Sequence, residues 1–154
     1  MSSTLASGSL RAGGEVPSSA RRILVVDDDR PSREGLGVAL LREGHVVETA
    51  GDAWEAIVRL RAQPFDVAVV DLDLPAVHGV EFGGWDVVRI ARAYQAGIAV
   101  IVLSADEDGA PVAEPRALVT GVLAKPISLQ DLTALVDALR VPETRPGPSP
   151  PTGR

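Results

Sequence analysis

The chain has 154 residues, 45% hydrophobic and only 3% aromatic, with a formal charge of −6 from 21 acids against 15 bases. That length fits one domain, and the acid excess argues against the basic face that nonspecific nucleic-acid binding needs. With no cysteine, disulfides, zinc–thiolate sites and thiol nucleophiles are excluded, and His45 and His78 are too few for a histidine-rich metal site. No run reaches the ~18 apolar residues of a membrane helix, and the N-terminus lacks the continuous apolar stretch of a secretory signal. A cytoplasmic protein with no membrane partner is expected.

Residues 1–20, rich in Ser, Gly and Ala without periodicity, read as a disordered tail. Ile23 to Val26 is a β-branched strand. Pro31 to Glu43 places Leu36, Ala39 and Leu40 at helical spacing, and Gly44 stands where a helix C-terminal cap belongs. His45 to Thr49 reads as the second strand. Asp52 opens the next helix with Glu55 at the capping-box position, and Ala53, Ala56, Ile57 and Leu60 form its apolar face. Val67 to Val70 is an all-apolar third strand, and Trp85 to Gln95 is a helix carrying Val88 and Ala91. Ala99 to Leu103 is the fourth strand. Pro111 and Pro115 interrupt any helix over 107–118. Val122 to Ala124 is a short fifth strand, and Ser128 caps a last helix over Leu132, Leu135, Val136 and Leu139. Residues 141–154 form a proline-rich tail, with five prolines in PETRPGPSPPTGR.

Five βα units in succession, with strands apolar on both faces, predict a parallel sheet covered by helices on each side. Right-handed crossovers make this a doubly wound α/β sandwich of three layers, whose functional crevice lies beyond the carboxyl ends of the strands. Those ends carry Asp27, Asp28 and Asp29; Asp71 and Asp73; Ser104; and Lys125 with Pro126. An aspartate after a strand can also be a turn residue or a helix cap, Ser104 alone can be a cap, and Lys125 alone can be a solvated charge. Their coincidence at four of the five predicted strand ends carries the signal. Converging carboxylates repel, and a hard cation such as Mg²⁺ relieves them. Metal and lysine could neutralise phosphoryl oxygens, serine could bond one, and a carboxylate could attack phosphorus.

The motifs ILVVDDD, VVDLDLP, VIVLSA and LAKP resemble the receiver domain of bacterial two-component response regulators, a CheY-like, flavodoxin-like (βα)5 fold, over about residues 21–140. The resemblance implies that Asp71 is the phosphorylated aspartate. It implies that Asp27 and Asp28 form the acidic pair binding Mg²⁺, with Asp71 beside them and the Asp73 backbone carbonyl also on the metal. Ser104 and Lys125 would contact the phosphoryl group, and the Lys125–Pro126 bond would be cis. Asp29 shifts the choice of pair by one place; Asp27 and Asp28 are preferred because they follow the apolar run directly.

The chain departs from that family's pattern in four ways. Val122 stands three residues before the lysine, where an aromatic is common. His78-Gly79 replaces the usual Asp-Gly. The interval from Asp71 to Ser104 (104 − 71 = 33) is a few residues longer than is typical of the family, with the excess assigned to a loop in GVEFGG. Pro111 and Pro115 break the fourth helix. Haloacid dehalogenase-like phosphatases also use Asp-x-Asp, then Ser or Thr, then Lys, but their metal-binding acidic pair follows the lysine. Here it precedes the nucleophile. A degenerate receiver, binding protein independently of phosphorylation, is the other alternative. The expected protein is a stand-alone receiver and a switch rather than an enzyme. It takes a phosphoryl group from a histidine kinase or phosphotransfer protein and acts on a downstream protein partner, as a monomer or weak homodimer.

Overall fold

The structure is a computed structural model that describes residues 20–77, 79, 82–105 and 118–139. The tails, His78, Pro111 and Pro115 fall outside the described residues, so the expectations placed on them are not addressed by it. In chain order the elements are β1 (Arg22–Val26), α1 (Arg30–Arg42), β2 (Val46–Ala50), α2 (Ala53–Ala62), β3 (Val67–Asp71), α3 (Gly84–Tyr94), β4 (Ala99–Ser104), β5 (Gly121–Ala124) and α4 (Leu129–Ala138). All five strands are parallel, in the order β2-β1-β3-β4-β5.

The two-residue period of each strand divides the core. Ile23 and Val25 of β1, Val67 and Val69 of β3, and Ile101 and Leu103 of β4 face one side. There they pack under Leu36 and Leu40 of α1 and Leu132 and Val136 of α4. Leu24, Val26, Ala68, Val70, Val100 and Val102 face the other side, against Ala53, Ala56 and Leu60 of α2 and Val87, Val88 and Ala91 of α3. Burying each such Val, Leu or Ile contributes roughly 1.5–3 kcal/mol before entropy is counted. Phe65, 1% exposed, is the one fully buried large aromatic among the described residues, as the composition requires.

Local chemistry explains the element ends. Asp29 caps α1, accepting from the Ser32 backbone N–H at 3.0 Å, and Pro31 sits in the first turn, where a missing N–H costs nothing. Gly44 ends α1 with φ +95° and donates to the Leu41 carbonyl at 3.0 Å. The next N–H, of His45, turns back to the Leu40 carbonyl at 3.3 Å. His45 therefore finishes the helix, and β2 starts one residue later than the sequence pattern suggests. Asp52 and Ser128 cap α2 and α4, accepting from the Glu55 and Asp131 N–H groups at 2.8 and 3.2 Å. The Glu55 carboxylate pairs with Arg59 on the next turn. α3 begins at Gly84, so the last glycine of GVEFGG is buried helix rather than loop.

The strand order sets the crevice. From β1 the chain runs outward to β2, then returns to place β3 on the other side of β1. The two central strands, β1 and β3, flank the reversal, and Val26 is paired with Val70. Asp27 and Asp71, each one residue on, therefore emerge side by side where such sheets bind ligands.

Candidate functional site

Asp27 is 2% exposed and held from several directions. Its Oδ1 accepts from the Asp29 N–H at 2.9 Å and its Oδ2 from the Ser32 hydroxyl at 2.8 Å. Its N–H donates to the Ala50 carbonyl, and its own carbonyl accepts from the Arg33 guanidinium at 2.7 Å. Burial holds the Asp27 carboxyl above the usual carboxylate range; the bonds from Asp29 and Ser32 oppose that, and the charge of Asp71 adds to it. Asp28 is exposed, while the carboxylate of Asp29 is turned to cap α1.

Asp71, 1% exposed, ends β3. Its Oδ1 accepts from the Asp73 N–H at 2.9 Å and from the Lys125 ammonium at 2.8 Å. Lys125 Nζ also lies 3.5 Å from Asp73 Oδ2, and the Lys125–Pro126 peptide is cis. Burial pulls the Lys125 ammonium down, but hydrogen bonds and charges from Asp71 and Asp73 outweigh it and raise it above the ordinary value. Side-chain oxygens of Asp27, Asp28 and Asp71 lie within 4.8 Å of one another. They open onto a cleft of about 530 Å³, walled by α1 through Pro31, Ser32 and Leu36 and by the turn into α4 through Ile127 and Leu129.

Ser104 ends β4 and is buried, 6% exposed. Its carbonyl accepts from the Lys125 N–H at 2.9 Å, tying the end of β4 to the lysine turn. Val122 of β5 is partly buried against the cluster beneath α2 and α3. The structure thus brings Asp27, Asp28, Asp71, Asp73 and Lys125 into one cleft, with Ser104 buried at the adjoining end of β4. Ser32 went unnoticed in the sequence, although it lies at the third helical position after an aspartate cap, where side chains point back at the strand end. Gly84 was also missed. The Gly83-Gly84 pair ahead of an amphipathic run was its only signal.

Donor type decides what this cluster can hold. Three carboxylates with no nitrogen or sulfur ligand suit a hard, oxygen-seeking divalent cation. The lysine supplies the positive end of an anion site beside it. A profile of the response regulator receiver domain matches residues 23–137. The chain belongs to the response regulator receiver family.

Response regulator MprA of Mycobacterium ulcerans is 37% identical over 119 residues, covering 77% of this chain and 49% of the relative. Two-component response regulator PhoP of Pseudomonas aeruginosa is 31% identical over the same length, covering 51% of that protein. The chain thus spans about half the length of these curated relatives. Among solved structures, a CheY-like receiver from Methanospirillum hungatei shares 25% identity at a TM-score of 0.63, covering 75% of this chain and 89% of that one. Response regulator TrrA of Thermotoga maritima, solved in complex with Mg²⁺-BeF, shares 26% identity at a TM-score of 0.65, covering 75% and 96%. The family is one of phosphoacceptor switches in two-component signal transduction. No helix among the described residues is long and apolar enough to cross a membrane.

Proposed function

We propose that this receiver accepts a phosphoryl group on Asp71 from a histidine kinase or phosphotransfer protein, in an Mg²⁺-dependent reaction. The observation that carries the reading is the convergence of Asp27, Asp28 and Asp71 oxygens within 4.8 Å, with Lys125 Nζ 2.8 Å from Asp71. Asp27 and Asp28 would hold the cation, together with the Asp71 carboxylate and the Asp73 backbone carbonyl. Bound Mg²⁺ would neutralise both the carboxylate cluster and the phosphoryl oxygens.

The chain's own groups do the rest. Ser32 and the Asp29 N–H hold the two oxygens of Asp27, and Lys125 holds Oδ1 of Asp71. An Asp71 oxygen forms a bond to phosphorus as the donor's P–N bond breaks. The donor imidazole leaves with the electron pair and takes up a proton from solvent. Lys125 and the Ser104 hydroxyl then contact phosphoryl oxygens, Ser104 by moving out of its buried position. The acyl phosphate adds charge and acceptor oxygens to the strand ends and so biases a two-state surface that a downstream protein reads.

Intact mass after incubation with Mg²⁺ and a small acyl-phosphate donor tests the reading. One phosphoryl mass is expected on the wild type, lost with chelator and in Asp71→Asn. A wild type that binds Mg²⁺ yet gains no mass would leave a phosphorylation-independent binding module as the function.

A further inference from the structure

We infer that Gly84 is a positioning residue for the phosphoacceptor. Its missing side chain lets the first turn of α3 seat directly on the backbone that carries Asp71 and Asp73. The inference rests on the reading of Asp71 as phosphoacceptor.

Gly84 is buried at the first helical position of α3. A Cβ there would lie 2.4 Å from the Asp71 carbonyl oxygen, 2.7 Å from Leu72 Cα and 3.1 Å from the Asp71 carbonyl carbon. All three atoms are backbone, so no side-chain rotation relieves the clash. The other buried or crowded glycines differ. At Gly37 a Cβ would meet the Thr49 methyl at 3.6 Å, an ordinary contact. At Gly121 it would meet Leu135 Cδ2 at 2.8 Å, the end of a flexible side chain. Gly84 alone among the described glycines abuts the main chain of the site.

The segment it abuts has little freedom. The Leu72 N–H donates to the Leu103 carbonyl at 2.9 Å, and the Asp73 N–H donates to the Asp71 carboxylate at 2.9 Å. On the other side α3 is anchored by buried Val87 and Val88, and its start by the Gly83 N–H donating to Asp86 at 2.9 Å. The turn from Asp71 to Asp73 is thus clamped between β4 and the start of α3. A methyl group at position 84 would force these bodies apart by about 1 Å, since carbon–oxygen contacts settle near 3.3–3.6 Å. The turn would carry two groups assigned to the metal, the Asp71 carboxylate and the Asp73 carbonyl. Displacements of that size at a reacting centre cost on the order of 100-fold in rate.

The test compares Gly84→Ala with wild type by calorimetric Mg²⁺ titration and by initial rates of acyl-phosphate labelling, with folding followed by circular dichroism. Gly37→Ala, whose Cβ has room in a helix interior, serves as a stabilising background should Gly84→Ala fold poorly. Val136→Ala, a cavity on the far face of the sheet, controls for destabilisation alone. The expected result is a Kd for Mg²⁺ raised at least about tenfold and labelling slowed about 10–100-fold in folded Gly84→Ala, with Mg²⁺ affinity within about twofold of wild type in Val136→Ala. Asp86→Ala, which releases the anchor at the start of α3 from a half-buried position, is expected to weaken Mg²⁺ by a few-fold. Wild-type Mg²⁺ affinity in folded Gly84→Ala overturns the inference; should that variant not fold in either background, wild-type affinity in Asp86→Ala overturns it. A wild type that itself takes no phosphoryl group overturns the reading of Asp71 instead.

Discussion

At the residue scale, Asp27 shows how a functional group strains the fold that holds it. Its carboxyl is held above the usual range, first by burial and then by Asp71. A carboxyl raised in the folded state costs stability once ionised. That cost is fully present above the folded value and fades as pH falls below it. Asp27→Asn is therefore expected to stabilise the metal-free protein at pH 7, and to do so less near pH 4, while abolishing Mg²⁺ binding. Urea unfolding at the two pH values, with a metal titration, checks this. His45 has the opposite sign. It is 5% exposed, its Nδ1 accepts from the Arg21 N–H at 3.0 Å, and its Nε2 lies 3.8 Å from Asp137. Burial lowers it, outweighing the pull of Asp137 and Glu43. The unfolded chain then binds the proton first, so stability is full above about pH 6.5 and declines as pH falls below that value. Melting curves from pH 7.5 to 5.5 should fall by a few degrees in wild type and be flatter in His45→Gln.

At the scale of elements, the first turn of α1 separates three neighbouring aspartates into different jobs. Asp27 is buried at the strand end, Asp28 faces the cleft mouth, and Asp29 caps the helix. Composition cannot make that division, because all three carry the same group within one loop. The helix axis makes it, by fixing which carboxylate reaches the free N–H groups. Asp29→Ala is expected to cost about 1 kcal/mol of stability with little change in Mg²⁺ affinity. Asp28→Ala is expected to do the reverse, leaving stability near wild type and weakening Mg²⁺ at least about tenfold. Denaturant midpoints and Mg²⁺ titrations on the pair give both readouts.

For the whole molecule, the site belongs to the folded state alone. Asp27, Asp71 and Lys125 come from the ends of three strands and meet only because β1, β3, β4 and β5 are laid side by side. An ion that binds this arrangement and not the unfolded chain stabilises it by mass action, about 2.7 kcal/mol at 100 times its Kd. The melting temperature of wild type should therefore climb with Mg²⁺, while that of Asp71→Asn or Asp27→Asn should respond weakly or not at all. A scan of Tm against Mg²⁺ for the three proteins tests that.

Much of this architecture is local information. The runs ILVV, VAVV and VIVL are apolar at every position because both faces of their strands are covered, and Asp29, Gly44, Asp52 and Ser128 mark helix ends by their own backbone chemistry. Alternation, caps and the residues just past each strand were therefore legible from the sequence, among them Asp27 to Asp29, Asp71, Asp73, Ser104 and Lys125. What the chain's order could not supply was distance. That Asp28 rather than Asp29 joins the cluster of Asp27 and Asp71, and that Ser104 is buried, depend on helix orientation and strand register. The need for a glycine at position 84 depends on a close approach between backbones 13 residues apart (84 − 71). Sequence determined which chemical groups stand at the strand ends, because periodicity and capping act over a few residues. Tertiary structure decided which of them touch, because contact between distant segments is a property of packing.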